Sequence, residues 1–376
     1  MTGHKKEIRP GVWKLRVSAG LDPITGRYRY ISKTVTGGPR IADKALAHLV
    51  VEVKQSYSTT SLEMLVNEFL RVSEASGIGL KTLDSYQTLT KNHVIPRLGS
   101  KRVESLTAQD LDRLYLQMAK DGIGISTIQH FHALIRTVLT QAVKWGLIEK
   151  NVASLSTPPT FRRKVTTAPS PEELGQILTA ASKRSPQLAA VFALCALTGA
   201  RRGEALALRW SDYDPKAKTL TIARSIGYTS RDGIFEKSTK THGIRRIGID
   251  ETLEGVIVSQ IEALGKNAEF GFELVHDPFL FFGEPDGSVS LHPDTPSKYF
   301  RKMCDLLGLP YHLHQLRHFT ATQLIAAGVD VRTVSGRLGH ADPSITLRVY
   351  SHVLEAQDRA ASEYLGSRVF IPKAIE

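Results

Sequence analysis

The segment Thr198-Gly199-Ala200-Arg201-Arg202-Gly203-Glu204-Ala205-Leu206-Ala207-Leu208-Arg209-Trp210 decides how this chain is read. Arg201 precedes Glu204 by three residues, one turn of helix, so the carboxylate can orient the guanidinium. Arg202 stands beside Arg201 but lacks that spacing. The apolar run just upstream, Leu188 to Leu197, is ten residues long and too short to span a bilayer. Three more local features follow downstream. Residues 238–249, STKTHGIRRIGI, place Lys240 near a turn between two short strands, with Lys237 as its competitor. Residues 312–318, HLHQLRH, set His314 three residues before Arg317 on one helix face; His312 has no such partner. Residues 338–352, LGHADPSITLRVYSH, hold His340 and, ten residues on, Tyr350. Between them Asp342-Pro343 reads as an N-cap and first helical residue, which seats Tyr350 on a short helix.

Taken singly these features are ordinary. An Arg-x-x-Glu pair is usually a surface ion pair, a His-x-x-Arg pair a solvated face, and a lone Tyr part of a core or its rim. Together they run in the order Arg, Lys, His-x-x-Arg, His, Tyr. With TG-x-R-R-GE, H-x-L-R-H and LGH…Y-x-H in succession, the chain resembles the tyrosine recombinase (phage integrase) family. The motifs carry the resemblance over residues 165–352, and the helical segment 61–150 is similar to the domain that precedes them in that family. Gly248 stands where relatives often have proline, and Ala200 where a larger apolar residue is usual.

The resemblance implies a phosphodiester substrate and assigns roles. Arg201 and Arg317 would donate planar, paired N–H groups to the non-bridging oxygens and stabilise charge that develops in the transition state. His314 and His340 would add hydrogen bonds to the same phosphate. Tyr350 would be the nucleophile; a phenol with a pKa of ~10 needs surrounding positive charge to favour its phenolate. Lys240, favoured over Lys237 by the KT-x-x-x-RR-x-I pattern around it, would be the general acid for the departing 5′-oxygen. Glu204 and His318 would support the site. A 3′-phosphotyrosine intermediate keeps the energy of the cut bond, so no ATP is implied. With two arginines and a lysine on the phosphate, no metal or other cofactor is implied either. The sequence has no P-loop and no evident carboxylate cluster for two-metal chemistry.

The rest of the chain fits a polyanionic partner. Of 376 residues, 49 are Lys or Arg and 37 are Asp or Glu, a formal net charge of +12. Residues 1–60 alone contribute a net +7, from 11 basic and 4 acidic residues. Hydrophobic content of 41% and charged content of 23% belong to a globular chain rather than a disordered one. MTGHKKEIRPG has charge but no apolar core, which argues against a signal peptide. Two cysteines, Cys195 and Cys304, make no disulfide framework and fit a reducing compartment.

Near the N-terminus, Val12–Val17 and Arg27–Ile31 alternate apolar with basic residues at period two, the mark of strands. Their hairpin would place Lys14, Arg16, Arg27 and Arg29 on one face, along a DNA groove. Alternatively these charges form a solvated face, with Trp13, Tyr28 and Tyr30 in the core. A helix is expected from Arg40 to about Lys54. Thr60-x-x-Glu63 and Thr107-x-x-Asp110 read as helix N-terminal boxes. Helices are expected at 80–98, 107–121 and 126–146. Arg162, Arg163 and Lys164 follow a Pro-Pro linker and would cross the DNA backbone. Ser170-Pro171-Glu172-Glu173 opens the last segment with a cap, and strands are expected at 218–224, 234–237 and 245–249.

The expected fold is therefore mainly α with small β-sheets (α+β). An N-terminal β-sheet domain (1–54) precedes a four-helix core-binding domain (61–150) and a mixed α+β catalytic domain with a C-terminal tail (165–376). The resemblance implies an integrase that inserts a phage or mobile element and, with a partner, excises it. It would bind core-type sites through 61–150 and 165–376, and arm-type sites through 1–54, on the nucleoid in a bacterial cytoplasm. It would assemble as a tetramer on DNA, with a DNA-bending protein and an excision factor as further partners and no membrane. Val369-Phe370-Ile371 would pack in cis or be passed to a neighbouring protomer. The alternatives are a cellular chromosome-dimer resolvase, a type IB topoisomerase, and a non-catalytic DNA-binding protein on the same fold.

Overall fold

The computed structural model describes residues 3–21, 28–57, 60–160, 167–238, 243–339 and 362–368. Its contacts divide the chain into two units, Met1–Arg163 and Lys164–Glu376.

The first unit opens with strands β1 (Gly3–Arg9), β2 (Val12–Leu21) and β3 (Tyr28–Thr36), then helix α1 (Pro39–Tyr57). The strands form an antiparallel sheet in the order β1-β2-β3. The expected alternation holds: Leu15 and Val17 are fully buried with Ala42, Leu49 and Val53 of α1, while Lys14 and Arg16 are exposed. Strand β1 has no apolar alternation of its own. It forms by pairing with β2, with His4 opposite Arg16 and Lys6 opposite Lys14, which leaves a charged edge that resists further strand addition. Lys5, opposite Leu15, faces the helix and forms an ion pair with Asp43. Tyr30 is exposed rather than core, with the Arg16 guanidinium 3.8 Å from its ring centre. Trp13 is partly buried, and its indole donates to the Gly37 carbonyl at 3.1 Å. Arg27 and the side chain of Arg29 lie outside the described residues, as does that of Tyr28.

A separate core in this unit is built by α2 (Leu62–Ala75), α3 (Leu80–Leu89), α4 (Ile95–Leu98), α5 (Ala108–Lys120) and α6 (Ile125–Lys144). Phe131, Leu134, Leu111 and Tyr115 fill it. The cap of α2 is Ser61, which accepts from the Met64 amide, one residue later than the expected Thr60. Thr107 and Asp110 form the reciprocal box at α5 as expected. The helix expected at 80–98 is interrupted by a π-helical turn, Thr90–Val94. Pro96, just beyond that turn, has no amide hydrogen to give to Asn92; the Asn92 carbonyl instead accepts from Arg97 Nη1 at 3.2 Å.

The second unit begins with α7 (Pro171–Ser182), α8 (Pro186–Thr198) and α9 (Arg202–Leu206). Strands β4 (Tyr213–Asp214), β5 (Thr219–Ile222), β6 (Arg224–Thr229), β7 (Gly233–Ser238) and β8 (Arg245–Gly248) follow. Helices α10 (Glu251–Glu269), α11 (Asp294–Leu306), α12 (Gln315–Ala326) and α13 (Val331–Leu338) complete it. The reciprocal box of Ser170 and Glu173 starts α7. The stretch expected as one strand at 218–224 divides at Ala223: β5 joins the sheet β4-β5-β8, whereas β6 pairs with β7. Lys240 thus follows a strand of one sheet and precedes a strand of another. The apolar run Leu188–Leu197 is the body of α8, surrounded by α7, α10, α11 and α12; a helix apolar on all sides is a core helix. Among the described residues no helix is long and apolar enough to cross a membrane. Cys195 and Cys304 are both buried free thiols.

The two cores of the first unit share no buried residue. Leu15→Ala removes a fully buried side chain from the smaller one, which costs about 2–5 kcal/mol. Hydrogen exchange should then show protection falling in β1–β3 and α1 with α2–α6 unchanged. Equal loss in both would contradict separate cores.

Candidate active site

Helix α8 ends at Gly199, whose φ of +69° is left-handed, a conformation that favours glycine. A Cβ there would also lie 2.3 Å from Leu338 Cδ2. The turn is held by Thr198, whose hydroxyl donates to the Leu194 carbonyl and accepts from the Ala200 amide at 3.0 Å. It delivers Arg201 to the N-cap of the five-residue α9. Glu204, only 2% exposed, accepts from the Arg201 amide at 3.0 Å and from Arg201 Nη1 at 2.8 Å. The predicted orienting contact is therefore present. Arg202 lacks that carboxylate and donates instead to Ser297 Oγ at 2.8 Å. That separates the two adjacent arginines.

Glu204 has a second cation that the sequence reading did not identify. Arg245 Nη2 donates to Glu204 Oε2 at 2.6 Å, and Arg245 Nε donates to the Arg337 carbonyl at 2.9 Å. Burial pushes the Glu204 carboxyl up, but the hydrogen bond and charge of Arg245, with the bonds from Arg201, outweigh it and hold the pKa below the ordinary value. The carboxylate is ionised at neutral pH. Arg337 in turn donates to the Leu197 carbonyl at 3.0 Å, tying α13 to the end of α8.

Arg317 lies in the first turn of α12 and is 4% exposed. Its Nη1 donates to the Gly199 carbonyl at 2.8 Å, two residues before Arg201. His314 is the residue preceding α12, not part of the helix, and it is exposed. Arg201, Arg202, Gly203, Ser225 and His314 line one cavity. Gly203 lets β6 approach α9: a Cβ there would sit 2.5 Å from the Ile226 carbonyl oxygen. Partial desolvation of its ring, then the charges of Arg317 and Arg201, lower the pKa of His314. The His318 ring packs edge-on against His314 with centroids 5.4 Å apart. Desolvation, then His314 and Arg317, bring its pKa down to about 4. At neutral pH both rings are uncharged, so they offer hydrogen bonds while the arginines hold the charge.

Of the residues expected here, Arg201, Glu204, His314, Arg317 and His318 are brought together. Lys240, His340 and Tyr350 lie outside the described residues, as do Arg162, Arg163 and Lys164. Of the competitors considered, Lys237 is an exposed residue near the end of β7, and His312 is exposed. Gly339, the residue before His340, has a φ of +68°, and its carbonyl accepts from Arg201 Nη2 at 3.4 Å.

Residues 170–357, half the chain, match the phage integrase family. The chain belongs to that family. Its members are site-specific DNA recombinases, so this is an enzyme of the tyrosine recombinase class. It is similar to the ICEBs1 integrase of Bacillus subtilis, 24% identical over 96% of this chain and 98% of the relative. A tyrosine recombinase XerC-like protein of Caldanaerobacter subterraneus is 28% identical over 79% of this chain and 80% of the relative. Among solved structures, the Tn1549 transposon integrase in complex with circular-intermediate DNA has a TM-score of 0.69 at 18% identity, covering 81% of this chain and 99% of that one. A lambda integrase tetramer bound to a Holliday junction has a TM-score of 0.60 at 18% identity, covering 91% and 93%. At these identities the structures establish a shared integrase fold.

The lowered histidine pKa values fix a pH dependence. His318 binds a proton near pH 6.5 when unfolded and near 4 when folded, so its stabilisation is present above pH 6.5 and is lost as pH falls toward 4. His314 acts in the same direction. Thermal melts should therefore fall more steeply between pH 6.5 and 4 for wild type than for His318→Gln. Parallel curves would show that His318 titrates normally in the folded protein.

Proposed function

We propose that the chain is the integrase of a phage or other mobile element, cutting and rejoining DNA through Tyr350. The observation that carries this reading is one site with two arginines of different anchorage. Arg201 is held by a buried carboxylate and Arg317 by a main-chain carbonyl, beside neutral His314. Two fixed guanidiniums and a neutral donor suit a phosphodiester whose charge grows as a nucleophile adds.

In the proposed reaction the Tyr350 oxygen attacks the scissile phosphorus. The Tyr350 phenol releases its proton to solvent, a P–O bond to tyrosine forms, the P–O5′ bond breaks, and Lys240 passes a proton to the departing 5′-oxygen. Arg201, Arg317, His314 and His340 hold the non-bridging oxygens. A 5′-hydroxyl from a partner strand then attacks the 3′-phosphotyrosine, its proton returns to Lys240, and Tyr350 leaves as the phenolate. Each step exchanges one phosphodiester for another, so ATP has no role.

The modules divide the DNA between them. Residues 61–150 and 165–376 grip core-type DNA, with Arg162, Arg163 and Lys164 along the backbone between them. Residues 1–54 bind arm-type DNA. His4, Lys6, Lys14 and Arg16 on one sheet face, with Arg16 stacked on exposed Tyr30, support that assignment. A chain that bridges two sites gains affinity through effective concentration. The working form is a tetramer on DNA, assisted by a DNA-bending protein and an excision factor. The XerC-like relative favours a second reading, a chromosome-dimer resolvase. The basic N-terminal module, together with the match of an integrase over 96% of this chain, favours the first.

A duplex core site nicked close to the cut position tests the chemistry. Wild type should accumulate a covalent protein–DNA adduct and Tyr350→Phe none; absence of adduct from wild type on its cognate site would overturn the reading. For the first module, a chain beginning at Ser61 should lose arm-type binding in a gel shift while keeping core-type binding. Arm-type affinity equal to that of the full chain would refute the arm assignment.

A further inference from the structure

Strand β8 alternates between buried and exposed positions: Arg245 buried, Arg246 exposed, Ile247 buried, Gly248 exposed. Arg245 thus occupies a core-facing place, the same face as Ile247, and its strand partner is buried Ile222. A cation there contradicts the apolar pattern around it, and such conflicts concentrate where function demands them. Burying it requires a counter-charge, which Glu204 supplies at 2.6 Å.

That contact changes the electrostatics of Arg201. An isolated Arg201–Glu204 pair has no net charge and is a poor trap for a phosphate. With Arg245 on the second carboxylate oxygen, the three groups carry a net +1, and Glu204 is shared. Arg201 keeps one nitrogen on Glu204 for direction while its charge stays available to an anion. Arg245 also contacts the end of α13 through the Arg337 carbonyl. Its Nη1 lies where a side chain on Gly339 would intrude, 2.9 Å from an added Cβ. Gly339 is therefore confined between Arg245 and Arg201, directly before His340.

We propose that Arg245 is a positioning residue that balances the charge of Glu204 and so leaves the positive charge of Arg201 free for the scissile phosphate. This rests on the reading of the site as a phosphodiester-transfer centre. Among the described residues Arg245 bonds Glu204 and the Arg337 carbonyl; it acts through Glu204 and Arg201.

The test is a double-mutant cycle in the full-length protein, read as the rate of adduct formation on a nicked core site at saturating protein. Arg245→Met leaves Glu204 to neutralise Arg201 alone, and the rate should fall about a hundredfold, the scale of losing a charge-stabilising group. Adding Glu204→Gln removes the negative charge, so the double variant should recover about tenfold relative to Arg245→Met. Arg245→Lys keeps the charge and should stay above Arg245→Met; it also serves if the methionine variant does not fold.

A role in packing alone predicts the reverse, with the second substitution compounding the first. A double variant no faster than Arg245→Met, or an Arg245→Met rate within twofold of wild type, would overturn the proposal. A second readout needs no cognate DNA: the rise in melting temperature on adding inorganic phosphate should shrink in Arg245→Met and return in the double variant. Failure of wild type to form adduct would count against the proposed reaction. An unchanged phosphate shift in Arg245→Met would count against Arg245.

Discussion

A carboxylate with 2% exposure stays ionised only if cations replace the water it has lost. Glu204 has two, Arg201 and Arg245, and the second unit is arranged around that demand. Arg201 comes from the turn after α8 and Arg245 from β8, and the latter also holds the end of α13. One carboxylate thus ties together three elements. Removing one partner of such a buried group leaves an uncompensated charge, at a cost of about 3–5 kcal/mol. The fold and the electrostatics of the site rest on the same contact.

Three glycines show how closely the backbone must approach to satisfy it. Gly199 turns the chain with a positive φ and offers its carbonyl to Arg317. Gly203 admits β6 against α9, and Gly339 leaves room for Arg245 while its carbonyl reaches Arg201. These positions explain in physical terms why glycines stand inside the motif segments 198–210 and 338–352. Each is a place where a side chain would occupy space already taken by Leu338, by the β6 backbone or by a guanidinium.

The parts of this site legible in the sequence are those fixed by short-range spacing. Arg201 and Glu204 are one turn apart, and His314 and Arg317 flank one helix start, so their pairing needed no knowledge of tertiary structure. Arg245 was not identified because its meaning comes from Glu204, 41 residues away in the chain. The signal was present in the alternation of β8, where an arginine takes the place of an apolar residue two before Ile247. Strand β1 was missed for a related reason: its order comes from pairing with β2, not from a pattern of its own. The strand expected at 218–224 is divided between two sheets: β5 pairs with the distant β8, whereas β6 turns back into a hairpin with β7, and local propensity does not encode that choice. The cap of α2 fell one residue away because Thr60 and Ser61 offer the same hydroxyl.

If Arg201 acts on the negative charge of one phosphate, its loss should matter less where that charge is reduced. A methylphosphonate at the cut position, which replaces a charged non-bridging oxygen by a methyl group, tests this directly. Adduct formation by Arg201→Ala and wild type would be compared on phosphate and methylphosphonate versions of the same nicked core site. The expected loss is about a hundredfold or more on phosphate, and it shrinks several-fold or more on methylphosphonate, where there is less charge for the arginine to stabilise. An equal loss on both substrates would contradict it and reduce Arg201 to a structural partner of Glu204.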